Sequence, residues 1–413
     1  MRAERRCRLA VLASHPIQYF TPIYKRLAER PDISLDVLFC SDYGVRPRFD
    51  KQFGQKVRWD TDQLSGYRSR FLTNVSPITD TFNPFHAINP GAFTGLLRSY
   101  DAVWVNGYTY PSNWLAAAAA HLRSTPLLFR SELRISDDQV TGAKRYVRDA
   151  IVRWWVRRSA ALLYIGEANR EAYLRYGARP DQLFFCPYSV DVERIDATSR
   201  EYADAKQASL RQEWCLPVDR PVILFVGKLI ARKHAEALLD IAAAVGPSGH
   251  VALAGSGPME PELRRRVAED NLSNVTFFGF VNQSRLPEVY AMADVFIMAS
   301  EREPWGLVLN EAMAAGVVPI VTEDVGAHPD LIAEGETGYV VASGDTSLMI
   351  ARVLTLLGDE GLRHRISAAA RRRSLAYSYE ASTEGIVSAL RGVGALRAEQ
   401  VGSGVSDAPN GRN

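Results

Sequence analysis

The sequence predicts an α/β protein built from two parallel-sheet domains in tandem. Three observations carry that reading. Its 413 residues exceed what one ordinary core fills and suit two domains of ~200 residues each. In the first half, apolar runs of strand length recur at Leu9–Ala13, Leu35–Cys40, Ala102–Val105, Leu127–Phe129 and Leu162–Ile165, separated by helical or irregular stretches. The second half repeats the alternation from Val222–Val226 through Val341. Strands alternating with helices imply a parallel sheet covered on both faces.

The elements divide as follows. A boundary is expected in the charged segment between Asp191 and Arg220, which gives a first domain over 1–200 and a second over 201–397. The tail 398–413, rich in Gly, Ser, Asp and Asn, is expected to be disordered. The start, Met1 to Ser14, is basic, but its apolar core of Leu9 to Ala13 is shorter than a signal peptide requires, so it reads as the first strand. Trp114 to Ala120 is the nearest approach to a membrane span and reads as an Ala-rich buried helix. Tyr43 to Pro90 is irregular and rich in aromatic residues (Phe49, Phe53, Trp59, Tyr67, Phe82, Phe85), and a loop of that length is usually functional or contains unrecognised structure.

Composition excludes several classes. A net charge of +2 argues against a dedicated nucleic-acid binder. Cys7, Cys40, Cys186 and Cys215 are widely spaced with no CxxC pair, which suits free thiols in a reducing cytoplasm. Gly255-Ser-Gly257 lacks the third glycine of a dinucleotide fingerprint. Val222 stands where a P-loop ending at Gly227-Lys228 needs its first glycine. Asp60-Thr-Asp62 has metal-binding spacing but no preceding strand, and it reads as a turn.

The richest stretch is Ser300 to Gly316. It follows the strand-like run Asp294–Ser300 and precedes another at Val317–Thr322, which makes a βαβ unit. Glu303 falls in the loop leaving the first strand, and Glu311 about two turns into the helix. Gly306 and Leu307 lie between them, where backbone N–H groups and the helix dipole favour an anion such as a diphosphate. The stretch therefore offers phosphate donors flanked by two acceptors suited to sugar hydroxyls.

This pattern, Glu303-x7-Glu311 within SxxExxGLxxxEAMAAG, resembles the signature of retaining GT-B glycosyltransferases, specifically glycosyltransferase family 4. Phe225-Val-Gly-Lys-Leu-x-x-x-Lys233, Leu253 to Pro258, Val275 to Val281, and Asp324 to Asp330 followed by Glu336 to Tyr339 resemble further family motifs in the same order. The match is close over residues 186 to 345. The resemblance implies two Rossmann-like domains facing across a cleft, the first binding the acceptor and the second a nucleotide diphospho-sugar. By motif position Lys228 and Lys233 bind the diphosphate with Gly227 allowing close backbone approach, Glu303 meets hydroxyls of the donor sugar, and Glu311 accepts from the ribose. Phe280 and Val281 stand at the nucleotide base, and Trp305, at a common Phe position, either walls the sugar pocket or packs. The implied chemistry uses basic side chains and a helix N-terminus in place of a metal, and no cofactor beyond the donor substrate.

On the acceptor side, Ser14-His-Pro-Ile-Gln-Tyr19 stands where the family has a glycine-rich loop, and His15 is the candidate base there. Asn106 to Pro111 lacks the histidine that many relatives carry, and Arg130-Ser-Glu132 ends the next strand. The segment 143–158 carries six cations, one anion and two adjacent tryptophans, with Val147, Ile151, Trp154 and Trp155 near helical spacing. It fits either an anionic membrane surface or packing on its own sheet. The expectation is a cytoplasmic, peripherally membrane-associated transferase acting on a saccharide or lipid-linked acceptor in cell-surface polysaccharide or glycolipid synthesis. Two alternatives stay open: a catalytically silent sugar-nucleotide-binding subunit and a GT-B sugar-nucleotide epimerase.

Overall fold

The computed structural model describes residues 6–78, 83–134, 142–203 and 205–397. The tail 398–413 and Phe82 lie outside the described residues.

The first half folds into strands β1 (Cys7–Ala13), β2 (Ile33–Phe39), β3 (Arg48–Asp50), β4 (Gln55–Val57), β5 (Arg68–Phe71), β6 (Ala102–Asn106), β7 (Leu127–Arg130), β8 (Ala161–Tyr164) and β9 (Leu183–Phe185). Seven of these form one sheet in the order β5-β2-β1-β6-β7-β8-β9, every pair parallel. Its central strands are continuous apolar runs because helices cover both faces: Leu9, Val11, Leu128 and Leu163 point into one cluster, and Ala10, Leu12, Phe129 and Leu162 into the other. The second half contributes β10 (Val222–Val226), β11 (His250–Ala254), β12 (Val275–Gly279), β13 (Val295–Met298), β14 (Val318–Thr322) and β15 (Tyr339–Val341). They form a second parallel sheet, β12-β11-β10-β13-β14-β15.

In each sheet the strand order reverses once, between β1 and β6 and between β10 and β13. Loops leaving such a pair run to opposite sides and open a crevice at the carboxyl edge. The reversal in the second sheet brings the loop after β10, with Gly227, Lys228 and Lys233, beside the loop after β13, with Glu303. These segments are about seventy residues apart in sequence, as the Lys233–Glu303 pair shows.

The stretch Tyr43 to Pro90 contains structure that its irregular sequence did not reveal. β3 and β4 make an antiparallel hairpin that joins neither main sheet, and β5 is an edge strand paired to β2. The sequence hides β5 because an edge strand facing solvent reads Arg68-Ser-Arg-Phe71, with little apolar alternation to detect.

The spatial domains also differ from the 1–200 and 201–397 segments. The helix Val192–Glu201 buries Val192 and Ile195 among second-domain residues such as Val289 and Leu309. The closing helix Tyr379–Gly392 returns to the first domain, where Ile386, Val387 and Leu390 pack with Leu9 and Leu128. Both helices have an apolar face whose destination no local pattern specifies.

The 143–158 segment is the helix Ala143–Arg158, with Val152, Trp155 and Val156 buried. Trp154 lies 4.9 Å from Trp114 between ring centroids. Its outward side carries Tyr146 and Val147, 79% and 60% exposed. No helix among the described residues is long and apolar enough to cross a membrane.

The return of the closing helix depends on Gly385, since a Cβ there would stand 2.0 Å from the Phe185 carbonyl oxygen. Gly385→Ala is expected to cost about 1–3 kcal/mol by overpacking against backbone. Denaturant unfolding checks this, and an unchanged midpoint would show that the helix docks more loosely than described.

Candidate active site

The carboxyl edges of the two sheets enclose a cleft of about 350 Å³, lined by His15, Gln18, Tyr19, Tyr43, Asp50 and Phe53 on one side and by Gly227, Lys228, Lys233, Phe280, Val281 and Val308 on the other. Six of the sequence candidates thus meet in one cavity: His15, Gly227, Lys228, Lys233, Phe280 and Val281.

The loop after β10 is held close to the loop after β11 by a glycine contact. A Cβ on Gly255, whose φ is +150°, would fall 1.8 Å from the Gly227 carbonyl oxygen, so only glycine fits. This packing directs Lys228 across the cleft. Its Nζ donates to Gln52 Oε1 at 2.8 Å and to Asp50 Oδ2 at 3.3 Å, and lies 4.6 Å from the centroid of the Phe53 ring. Burial pulls the Lys228 ammonium below its ordinary range, and Asp50 opposes that shift. Burial raises the Asp50 carboxyl, but Lys228, the Tyr43 hydroxyl and the Phe53 and Gln52 backbone N–H groups together hold it below the usual carboxylate value.

Three residues further on, the short 3-10 turn Ala231–Lys233 presents Arg232 and Lys233 to Glu303. Lys233 pairs with Glu303 Oε2, and Arg232 Nη1 approaches the same oxygen at 3.4 Å. The Glu303 backbone is fixed from both domains. Its N–H donates to the Asp324 carbonyl at 3.1 Å, and its own carbonyl accepts from the Gly326 N–H at 2.8 Å and from Arg134 Nη1 at 2.7 Å. Three cations, Lys228, Arg232 and Lys233, therefore converge beside the N-terminus of the helix Leu307–Ala314, where the Leu309 N–H turns back to the Gly306 carbonyl at 2.8 Å and the N–H groups of Leu307 and Val308 precede the helical ladder. Gly306 and Leu307 form that helix start, with Leu307 leaning on the core and Val308 reaching the cleft.

Trp305 takes the packing alternative of its two expectations, and Glu311 and His15 sit in surroundings that constrain their expected roles. Trp305 is 4% exposed, donates its indole N–H to Asn310 Oδ1 at 2.9 Å and packs against Tyr188 and Tyr377, so it is core and not a pocket wall. Glu311 is 3% exposed, and its two oxygens accept from Tyr19 at 3.1 Å and Tyr290 at 2.7 Å. It meets the cleft through the Tyr19 hydroxyl. Burial raises the Glu311 carboxyl to about 7 against the opposing tyrosine hydrogen bonds. His15, 3.0 Å from Ser14 Oγ through Nδ1 and edge-on to Tyr43, is pushed down to about 4 by burial and by the nearby His86. It is a neutral imidazole near pH 7, and hence a weak proton acceptor there.

Sequence reasoning missed Asp50, Gln52 and Phe53 as cleft residues, whereas Tyr19 belongs to the Ser14–Tyr19 edge expected on the acceptor side. The only signal was the aromatic density of the Tyr43–Pro90 stretch. Asp60 and Asp62 stay in turns and loop contacts: Asp60 accepts from the Ser284 N–H at 3.2 Å and Asp62 from the Leu64 N–H at 3.0 Å.

Comparison with known proteins now bears on this geometry. Residues 16–189 match the glycosyl transferase 4-like domain, and residues 206–373 match glycosyl transferases group 1. The chain carries two glycosyltransferase domains. The group 1 domain holds the cation cluster and Glu303; the 4-like domain holds Tyr19, Asp50 and Phe53, with His15 immediately before it. Alpha-D-kanosaminyltransferase of Streptomyces kanamyceticus is 30% identical over 258 residues, 60% of this chain and 65% of that protein. D-inositol 3-phosphate glycosyltransferase of Xylanimonas cellulosilytica is 29% identical over 314 residues, 70% of this chain and 73% of that protein. The matched length is only 32% of a third relative, sulfoquinovosyl transferase SQD2 of Arabidopsis thaliana, at 33% identity over 40% of this chain. Anabaena HepE, solved in complex with UDP and glucose, superposes with a TM-score of 0.68 at 17% identity, covering 93% of this chain and 99% of that one. The sucrose-phosphate synthase of Thermosynechococcus elongatus gives 0.67 at 21% identity, covering 94% and 100%. At these identities the likeness establishes the fold, which is GT-B: two Rossmann-like domains whose parallel sheets face across a cleft.

The Glu311 environment gives a signed pH dependence. Its folded carboxyl, at about 7, lies above the unfolded value of ~4.3, so the native state binds the extra proton. Its contribution to stability is full below the unfolded value and is lost as pH rises through about 7. Glu311→Gln should remove this loss, so wild type should fall relative to the variant by up to roughly 3 kcal/mol between pH 4 and pH 8. Thermal melts of both proteins across that range check it, and parallel curves would refute the assignment.

Proposed function

We propose that the chain is a retaining glycosyltransferase that moves a sugar from a nucleotide diphospho-sugar to a saccharide or lipid-linked acceptor, without a metal, in cell-surface polysaccharide or glycolipid synthesis. The observation that carries this reading is the convergence of Lys228, Arg232 and Lys233 beside a helix N-terminus in a cleft between two sheet edges. Breaking the anomeric carbon–oxygen bond leaves both electrons on the diphosphate. Fixed cations and N–H dipoles in a partly enclosed site stabilise that developing charge without reorganising. Transferase activity in the kanosaminyl and inositol phosphate relatives, and the UDP bound by HepE, support the donor class.

In this reading Lys228 and Lys233 bind the diphosphate, and the Glu303 carboxylate, set in the cleft by Lys233, orients hydroxyls of the donor sugar. Gly306 and Leu307 supply backbone N–H groups, while Phe280 and Val281 meet the base. His15, neutral near pH 7, orients an acceptor hydroxyl by hydrogen bonding and leaves proton removal to another group. Purified protein incubated with UDP-, GDP- and ADP-sugars in EDTA should release nucleoside diphosphate from one donor. Lys233→Ala and Glu303→Ala should each lower that rate by about 10²–10³-fold. Absence of both release and nucleotide binding would refute the transferase reading and leave the silent-subunit alternative.

The helix Ala143–Arg158 bears on where the protein acts. Its inner face is used in packing by Val152, Trp155 and Val156, which leaves cations together with Tyr146 and Val147 facing outward. We infer that this outer face rests on an anionic membrane, each surface cation adding ~1 kcal/mol. Replacing Lys144, Arg145, Arg153 and Arg157 by Gln should shift the protein from sedimenting with anionic liposomes to the supernatant. Equal sedimentation of variant and wild type would exclude the membrane role.

A further inference from the structure

The β3–β4 hairpin belongs to neither main sheet, yet it crosses the cleft and is fastened to the group 1 domain. Ser256 Oγ donates to the Phe53 carbonyl at 3.0 Å and accepts from Gln55 Nε2 at 3.2 Å. Just beyond the hairpin, Asn282 Nδ2 donates to the Arg58 carbonyl at 2.9 Å. Its aromatic side chains gather on one residue of the opposite domain. The Phe53 ring stands edge-on to Phe280 with centroids 5.0 Å apart, and Trp59 lies 6.2 Å from the same ring. All three rings line the cleft together with Lys228. The hairpin also supplies the anion that Lys228 faces, the Asp50 carboxylate, which is itself preset by the Tyr43 hydroxyl at 2.9 Å and the Gln52 N–H at 2.7 Å.

We propose that this hairpin is the lid of the donor site: Phe53 and Trp59 complete with Phe280 an aromatic wall for the nucleobase, and Asp50 is a latch on Lys228 that the incoming diphosphate displaces. The inference rests on the nucleotide-sugar reading and deepens it, because donor recognition then draws on both domains. A flat base gains from aromatic faces and edges whatever its hydrogen-bonding pattern. The latch follows from charge. Asp50 and a diphosphate are anions competing for one ammonium, so one leaves as the other arrives. Release of Asp50 frees the hairpin to settle on the base, and base binding and diphosphate binding become coupled through a single element.

Titration calorimetry on the full chain with UDP, GDP, ADP and inorganic pyrophosphate tests both parts. The Phe53→Ala, Trp59→Ala double variant should lose roughly tenfold to a hundredfold in affinity for the preferred nucleoside diphosphate, with pyrophosphate affinity retained as the sign of an intact fold. Asp50→Asn should tighten pyrophosphate several-fold, and an unchanged or weaker affinity overturns the latch. If Lys233→Ala loses nucleotide while the aromatic double variant keeps wild-type affinity, the lid is overturned and the donor reading stands. If wild type binds no nucleotide, the donor reading fails and the lid fails with it. Should the double variant not fold, nucleotide-induced quenching in wild type that disappears in Trp59→Phe supports the lid, and equal quenching in both overturns it.

Discussion

Three cations crowded into one cleft must be neutralised, and the way this chain neutralises them ties its two domains together. Lys228 faces Asp50 and Gln52 from the first domain, while Lys233 and Arg232 face Glu303 within the second. Glu303 is in turn pinned at its carbonyl by Arg134 of the first domain. Each pair is partly shielded from water, where an unpaired charge is costly and a paired one is held in place. The same arrangement keeps the ammonium groups aimed at the cleft, and an anionic ligand meets cations already in position instead of recruiting them from solvent.

A second set of interactions sits beneath the cleft. Glu311 accepts hydrogen bonds from Tyr19 of one domain and Tyr290 of the other, and Trp305 packs with Tyr188 and Tyr377. These residues lie in the motif that points most directly to function, yet their side chains seal the junction between domains. One stretch, Ser300 to Gly316, thus supplies the helix N-terminus to the ligand side and the apolar and hydrogen-bonded contacts to the core side. The closing helix Tyr379–Gly392 adds a further constraint by returning to the first sheet. β1 and the closing helix stabilise the same domain, and motion between domains must pass through the connections on either side of residues 192–378.

The fold and the gathering of Lys228, Lys233, Phe280 and Val281 in one cleft were largely legible. Strand runs such as Val222–Val226 and Val318–Thr322 announce themselves because a parallel strand covered on both faces must be apolar throughout. Lys228 and Lys233 were singled out by resemblance to a family motif, and Glu303 and the helix start at Leu307 by their place in a βαβ unit, because each of these patterns is contained within a few residues. The edge strand β5, the β3–β4 hairpin and the partners of Glu311 and Trp305 were not legible. An edge strand has no alternation to show, and a short hairpin in an aromatic loop has no periodicity.

By itself the sequence determined the two parallel-sheet domains and the neighbouring carboxylates, which follow from composition and spacing, and the resemblance of its motifs marked out the loop with Lys228 and Lys233. The tertiary structure alone decided which groups face one another. It placed Asp50 and Gln52 on Lys228, set Phe53 and Trp59 against Phe280, drew Tyr19 onto Glu311 and buried His15 into a neutral state. The reason is that these pairings join residues up to about three hundred positions apart, such as Tyr19 and Glu311. Which side chains share a low-dielectric space depends on how two finished sheets pack, and no local pattern in the chain encodes that packing.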